Sequence, residues 1–356
     1  MSKVTHEELK EDIGVAYATK TPLFIWGAVG IGKSAIVREV AEDLAKIENL
    51  EVSTDANEKD TFGFIDVRIS QLEPSDLRGL PIQDLENGTT KWLVPNWLPK
   101  NKDSKGLLFL DELNLSPPSI QAVAYQLILD RRIGDYVLPS GWMIVSAGNR
   151  IEDRCNVFDM SSALCNRFIH TELQVPSVND WTEWATSNNI DSRIVAFINF
   201  KADSLFKADD KNKTKSFPTP RSWVFCSRLI EGKKQDKTTD RLIASAVGEG
   251  TAREFSGFLR LQTKINIADI LKNPKQVKTL KAVDLKYVLI GTISEKYKAK
   301  PSLFEQILPV CDYLEAEFSI LLLRFLKNSN PTNFKTKITN SKKGVELLNK
   351  YAEILA

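Results

Sequence analysis

A chain of 356 residues with 48 Lys+Arg against 46 Asp+Glu carries a net charge of only +2, so no global charge excess pulls it towards a polyanion. A hydrophobic fraction of 42% supports more than one packed core, and no run approaches the 18 apolar residues of a membrane span. The polar N-terminus, MSKVTHEELKEDIG, has no apolar signal region, and the four scattered cysteines lack metal-site or redox spacing; a cytoplasmic chain with reduced thiols is expected.

The first predicted strand is Leu23–Trp26, a short apolar run bounded by polar residues. Gly27, Gly30, Gly32, Lys33 and Ser34 follow, in the spacing G-x-x-x-x-G-K-S. Then Val37, Val40, Ala41, Leu44 and Ala45 fall on one helical face. Strand, glycine loop and helix form the context in which backbone N–H groups cradle phosphate. Residues Gly27, Ala28, Val29, Gly30, Ile31, Gly32, Lys33 and Ser34 are therefore the candidate nucleotide-binding loop. Lys33 would reach the β- and γ-phosphates, and the Ser34 hydroxyl would ligate Mg²⁺. With only His6 and His170 in the chain, a histidine metal site is not expected.

The apolar run Leu107–Leu110 ends in Asp111-Glu112. Carboxylates at the end of a buried strand need a chemical reason, because burying charge is costly. Asp111 would hold the metal, and Glu112 would orient and deprotonate an attacking water. A helix is predicted after it, with Ser116 as cap, Pro117 or Pro118 in the first turn, and Ile120, Val123, Ala124, Leu127 and Ile128 on its apolar face. A hairpin and the strand Met143–Ala147 come next. Asn149, after Gly148, either bonds a water or the γ-phosphate or simply forms the turn. Pro176 marks a boundary, residues 179–265 read as helices, and Lys207–Pro220 as an exposed loop. Near the end, Leu314, Phe318, Leu321, Leu322 and Phe325 line the face of a packed helix. No internal repeat is apparent, and no motif is recognised beyond about residue 265.

Taken together, GAVGIGKS, ISQLEPSDLRGLPI, LLFLDELNLSPPSIQ, RIGDYVLPSGWMIVSAGN, SALCNRF and PTPRSW resemble, in order, an AAA+ ATPase of the MoxR and dynein-related subfamily. The resemblance covers residues 20 to 225. It implies an α/β fold: an AAA+ P-loop core with a parallel sheet sandwiched by helices over 1–172. A helical lid over 173–265 and a helical extension over 266–356 would follow. Within the core, 71–98 would be the helix-2 insert, with an Asn-Gly turn, and 131–141 the pre-sensor-1 hairpin. Trp92, Trp97 and Tyr136 are the aromatic candidates for a pore or partner contact.

By the same resemblance Asn149 is the sensor-1 residue, Arg167 the arginine finger offered to a neighbouring subunit, and Arg221 the sensor-2 residue. Arg150 and Arg154 are the nearby rivals for the trans role. The basic residue that many relatives carry after D-E-x-N is here Leu115, which puts any contact through that position in doubt. The implied protein binds ATP and Mg²⁺ and hydrolyses ATP in a homo-oligomeric ring, a hexamer, to remodel a protein client. A partner with a von Willebrand factor A domain is implied, with nucleic acid not indicated. A nucleic-acid motor or restriction-type nucleotidase, and a nucleotide-gated scaffold, are the alternatives.

Overall fold

The computed structural model describes residues 1–153, 158–207, 215–231, 236–329 and 331–351. Arg154 and Cys155 lie outside these ranges, as does the middle of the predicted loop 207–220. The chain divides into two compact units, Met1–Val175 and Pro176–Ala356.

Among the described residues the first unit contains eleven strands: β1 Ser2–Val4, β2 Leu23–Trp26, β3 Glu51–Ser53, β4 Thr61–Arg68, β5 Leu80–Asp84, β6 Thr89–Leu93, β7 Lys105–Asp111, β8 Arg132–Ile133, β9 Tyr136–Val137, β10 Gly141–Gly148 and β11 Ile169–Leu173. Seven of them make a parallel sheet in the order β1-β11-β2-β10-β7-β4-β3. Parallel strands are covered on both faces, which is why β7 and β10 are almost unbroken apolar runs. Alternate residues of β7 serve opposite faces. Leu108 and Leu110 join the cluster that holds Ile120, Ala124, Leu127 and Ile128 of α4 (Pro118–Asp130). Phe109 stacks on Phe64 on the other face, where Arg38 of α2 (Lys33–Ile47) lies over the Phe64 ring.

The N-terminal α1 (His6–Thr19) packs on α2, and β1 adds a parallel edge strand to β11; neither element is legible in the sequence pattern. Ser116 does not cap α4. Its hydroxyl donates to the Leu113 carbonyl, and Pro117 occupies the N-cap.

One feature of the sheet is a fully buried indole seated over two glycines. A Cβ on Gly63 of β4 would lie 2.2 Å from Trp142, and one on Gly106 of β7 would lie 2.8 Å from it. The indole N–H of Trp142 donates to Ser104 Oγ at 2.9 Å.

Two small hairpins complete the unit. The β5–β6 hairpin turns through Leu85–Gly88, placing the predicted Asn-Gly pair in its loop. It follows a short helix α3 (Pro74–Arg78). Trp92 lies half-buried beneath Arg78, and Trp97 donates to the Asp76 carbonyl. In the β8–β9 hairpin Tyr136 is buried and donates to the Pro99 carbonyl at 2.9 Å. Packing within the first unit thus accounts for the contacts of all three aromatics. A four-residue helix, α5 (Ser162–Cys165), precedes β11.

The second unit is helical: α6 Val178–Ser187, α7 Ser192–Phe200, α8 Pro220–Ile230, α9 Lys237–Val247, α10 Glu249–Arg260, α11 Ile267–Lys272, α12 Val283–Ala299, α13 Phe304–Ile307, α14 Ala316–Ser329, α15 Pro331–Asn340 and α16 Lys342–Lys350. A single apolar cluster runs from Trp181 to Tyr351, so segments 173–265 and 266–356 share one core. Phe318, Leu322 and Phe325 of α14 are buried in it. Burial pushes the thiols of Cys226 and Cys311 up to about 12, and both are free.

Candidate nucleotide site

The loop between β2 and α2 ends at Gly32, whose φ of 108° lies in the left-handed region that a side chain would strain. Having no side chain, Gly32 offers no cap to the first N–H groups of α2. An uncapped helix N-terminus behind a glycine loop is suited to an anion. Lys33 is 9% exposed and folds back into the loop, donating to the carbonyls of Gly27 at 2.7 Å and Ala28 at 3.0 Å. Its Nζ also donates to Asn149 Oδ1 at 2.9 Å. The loop lysine and the residue after β10 therefore meet across 116 positions of sequence.

At the end of β7, Asp111 Oδ2 accepts from Ser34 Oγ at 3.0 Å, joining the two predicted metal-holding residues. A hydroxyl and a carboxylate at this distance are the oxygen donors that Mg²⁺ takes. Glu112 follows with φ 58°, a left-handed conformation at a non-glycine residue, and its Oε2 accepts from Ser70 Oγ at 2.6 Å. Asp66 stands near Asp111. Desolvation first, and then the Asp111 charge, raise its carboxyl above the ordinary range, while Arg68 and Arg38 oppose the rise.

Asn114 belongs to the D-E-x-N sequence, but its part is visible only in three dimensions. It is 2% exposed, and its side chain clamps both backbone groups of Asn149. Asn114 Nδ2 donates to the Asn149 carbonyl at 2.7 Å, and the Asn149 N–H donates to Asn114 Oδ1 at 3.2 Å. His6 is a second residue that the sequence does not mark. Its Nε2 lies 2.9 Å from the Ile31 carbonyl, and a carbonyl only accepts, so this nitrogen carries the proton.

Arg167 is half-buried just after α5. Its Nη1 donates to the Ala163 carbonyl at 3.0 Å, and its guanidinium lies 5.0 Å from the Tyr125 ring centre. Its Nε–H is buried without a hydrogen-bond partner among the described residues. The turn that carries it is tied back to the strand before the loop. Trp26 Nε1 donates to His170 Nδ1 at 3.0 Å, so His170 Nε2 carries the proton given to the Cys165 carbonyl at 2.8 Å. Arg150, the rival, is committed within its own chain to Asp153 and to Glu172. The hydrogen bond to Asp153 is the main reason its guanidinium is raised above its ordinary range.

Of the predicted site residues, the structure brings together Lys33, Ser34, Asp111 and Asn149, with Glu112 adjoining Asp111. Arg221 belongs to the second unit. It sits exposed in the first turn of α8, behind a Thr219 capping box.

Comparison with known proteins gives a family match within the first unit. Residues 22–168 match the family model of the AAA domain, dynein-related subfamily. No curated protein matches the chain. Among solved structures, a mutant of Thermotoga maritima RuvB is 16% identical, with 75% of each chain covered and a TM-score of 0.38. NtrX of Brucella abortus in complex with ADP is 12% identical, covering 98% of this chain and 67% of its own, also at 0.38. Over residues 22–168, then, the chain is similar to the AAA domain of the dynein-related subfamily.

Proposed function

We propose that this chain is a MoxR-type AAA+ ATPase that hydrolyses ATP in a homo-oligomeric ring, a hexamer, and uses the cycle to remodel a protein client. The observation that carries the reading is the meeting of Lys33, Ser34, Asp111 and Asn149 at the carboxyl ends of β2, β7 and β10. The loop 27–34 binds the phosphates through its backbone N–H groups. Lys33 exchanges the loop carbonyls for the β- and γ-phosphates. Ser34 and Asp111 hold Mg²⁺, which when bound neutralises charge developing on the phosphates. Glu112 leaves Ser70 and accepts a proton from the attacking water. Asn149, fixed by Asn114, positions that water or a γ-phosphate oxygen.

Arg167 completes the site of the next subunit, where an arginine is worth ~10³–10⁵ in turnover. Arg167 makes no ion pair within its own chain among the described residues, its guanidinium holding only the Ala163 carbonyl and the Tyr125 ring, so the charge is not already neutralised, which supports this role. Arg221 acts as the second-unit sensor. By resemblance, a protein with a von Willebrand factor A domain is the partner.

The test is the ATPase rate per protomer against protein concentration. It should rise steeply in the native chain and stay near zero for Arg167→Ala. Glu112→Gln should keep nucleotide affinity and lose at least ~10²-fold in turnover. A rate independent of both concentration and Arg167 would overturn the shared site and leave a nucleotide-gated scaffold.

A further inference from the structure

The near-zero charge of the whole chain is the sum of two large and opposite charges. The first unit, 1–175, has 18 Lys+Arg and 26 Asp+Glu, a net charge of −8. The second, 176–356, has 30 against 20, a net charge of +10. A polyanion that meets the second unit meets a strongly basic body, whatever the chain total.

Within that unit one segment is built on a three-residue period. Residues 271–282 read Leu-Lys-Asn, Pro-Lys-Gln, Val-Lys-Thr, Leu-Lys-Ala. No acidic residue occurs between Asp269 and Asp284. The structure gives this period a physical meaning. Residues Pro274–Thr279 form a 3-10 helix, in which every third side chain is eclipsed and each turn rises about 6 Å. The apolar file turns inward: Val277 is buried, while Leu271, Pro274 and Leu280 are half-buried. The lysine file, Lys272, Lys275, Lys278 and Lys281, is exposed at all four positions. Beside it runs a file able to make hydrogen bonds, Asn273, Gln276 and Thr279.

The neighbouring segment Leu308–Tyr313 packs against this helix and presents the Tyr313 ring 5.5 Å from Lys278 Nζ. Its acidic groups are already engaged, Asp312 with Lys343 at 2.6 Å and the adjoining Glu315 with Lys286.

We propose that this lysine file is a docking surface for a nucleic-acid strand, contacted through its phosphates and without regard to base sequence. Three features favour a nucleic acid over an acidic protein face. Lys275 and Lys278 stand one 3-10 turn apart, about 6 Å, close to the interval of successive phosphates on an extended strand, with Lys272 and Lys281 exposed on either side. Side chains able to bond phosphate and sugar oxygens flank them. The apolar file of the segment is turned inward, so lysine and amide or hydroxyl side chains are what Lys272–Lys281 exposes. The proposal does not depend on the ATPase reading, since none of these residues belongs to the nucleotide site.

The experiment uses the full chain and a fluorescein-labelled 30-nucleotide oligothymidylate, followed by anisotropy from 50 to 200 mM NaCl. Single strands lose about 0.7 log unit of affinity per log unit of salt for each phosphate neutralised, so four contacts predict a fall of about 50-fold over this range. Replacing Lys272, Lys275, Lys278 and Lys281 together by Gln should weaken binding at least tenfold at 50 mM and flatten the salt slope by nearly 3. The fourfold Arg variant should bind like the native chain. Basal ATPase and thermal midpoint should be unchanged in both, which separates loss of contact from loss of fold. Gln at the exposed Lys59, Lys100 and Lys102 of the first unit should leave binding intact. The proposal is overturned if the native chain does not bind, if the fourfold Gln variant binds as well, or if the first-unit variant loses as much. It is equally overturned if the oligonucleotide is ignored while sedimentation shows self-association that the fourfold Gln variant abolishes. The file would then dock on the acidic unit of another copy.

Discussion

A methyl group at Gly148 would fall 2.5 Å from Asn114 Oδ1 and 2.7 Å from Phe24 Cζ, so the backbone there can pass only as glycine. Gly148→Ala should lower stability by about 1–3 kcal/mol through overpacking. It should also cost turnover, because the displaced Asn114 is what fixes Asn149; a thermal melt and an ATPase assay on the same sample check both. Ser70 supplies a second prediction. Its hydroxyl occupies one oxygen of Glu112 and holds that carboxylate in place, away from any water it would have to meet. Ser70→Ala should raise the basal rate of the dilute protein severalfold at unchanged KM. A rate equal to or below that of the native chain would show that the serine is not restraining the base. The residues that carry the proposed chemistry are legible because their spacing is local: Gly32, Lys33 and Ser34 in one loop, Asp111 and Glu112 in one strand end. Ser70 and Asn114 are not, because each acts on a residue at least 35 positions away and nothing in their own neighbourhood marks them.

At the scale of elements, the strands β2, β7 and β10 show themselves as apolar runs, and α2 and α4 by their 3.6-residue faces. The N-terminal strand does not. Three residues are too few to show a period, and β1 exists because the edge of β11 offers it hydrogen bonds. Its effect is to deliver α1 so that His6 reaches the Ile31 carbonyl. His6→Ala should therefore raise KM for ATP severalfold with kcat within about twofold, whereas His6→Gln, which keeps a donor, should recover much of the affinity. An unchanged KM in the alanine variant would reduce the contact to packing. The triplet segment 271–282 escapes for a different reason. Its period of three lies between the 3.6 of an α-helix and the 2 of a strand, and fits neither template.

For the whole molecule, the two units have separate cores, Phe24 to Phe168 in one and Trp181 to Tyr351 in the other. Each is large enough to fold alone. Residues 1–175 expressed by themselves should melt cooperatively and still bind nucleotide, but without Arg221 their turnover should fall at least tenfold. Failure of the isolated first unit to bind would mean that the nucleotide site needs the second. The opposed charges of the units are countable in the sequence once a boundary is fixed. The total of +2 conceals them, as any sum over two unlike bodies would.

The indole of Trp142 over Gly63 and Gly106 also constrains history. Enlarging either glycine first drives a side chain into the ring, while removing the ring first costs about 3–5 kcal/mol and leaves a void across two strands. Val at position 63 becomes tolerable only after Trp142 has shrunk, and the shrunken chain gains from Val only after its loss has been survived. A lineage can leave this arrangement only through a less stable ancestor, in a fixed order of steps, so Gly63 and Trp142 are inherited as one character, while Gly106 stays glycine in any case because a Cβ there would fall 2.3 Å from the Gly63 carbonyl oxygen.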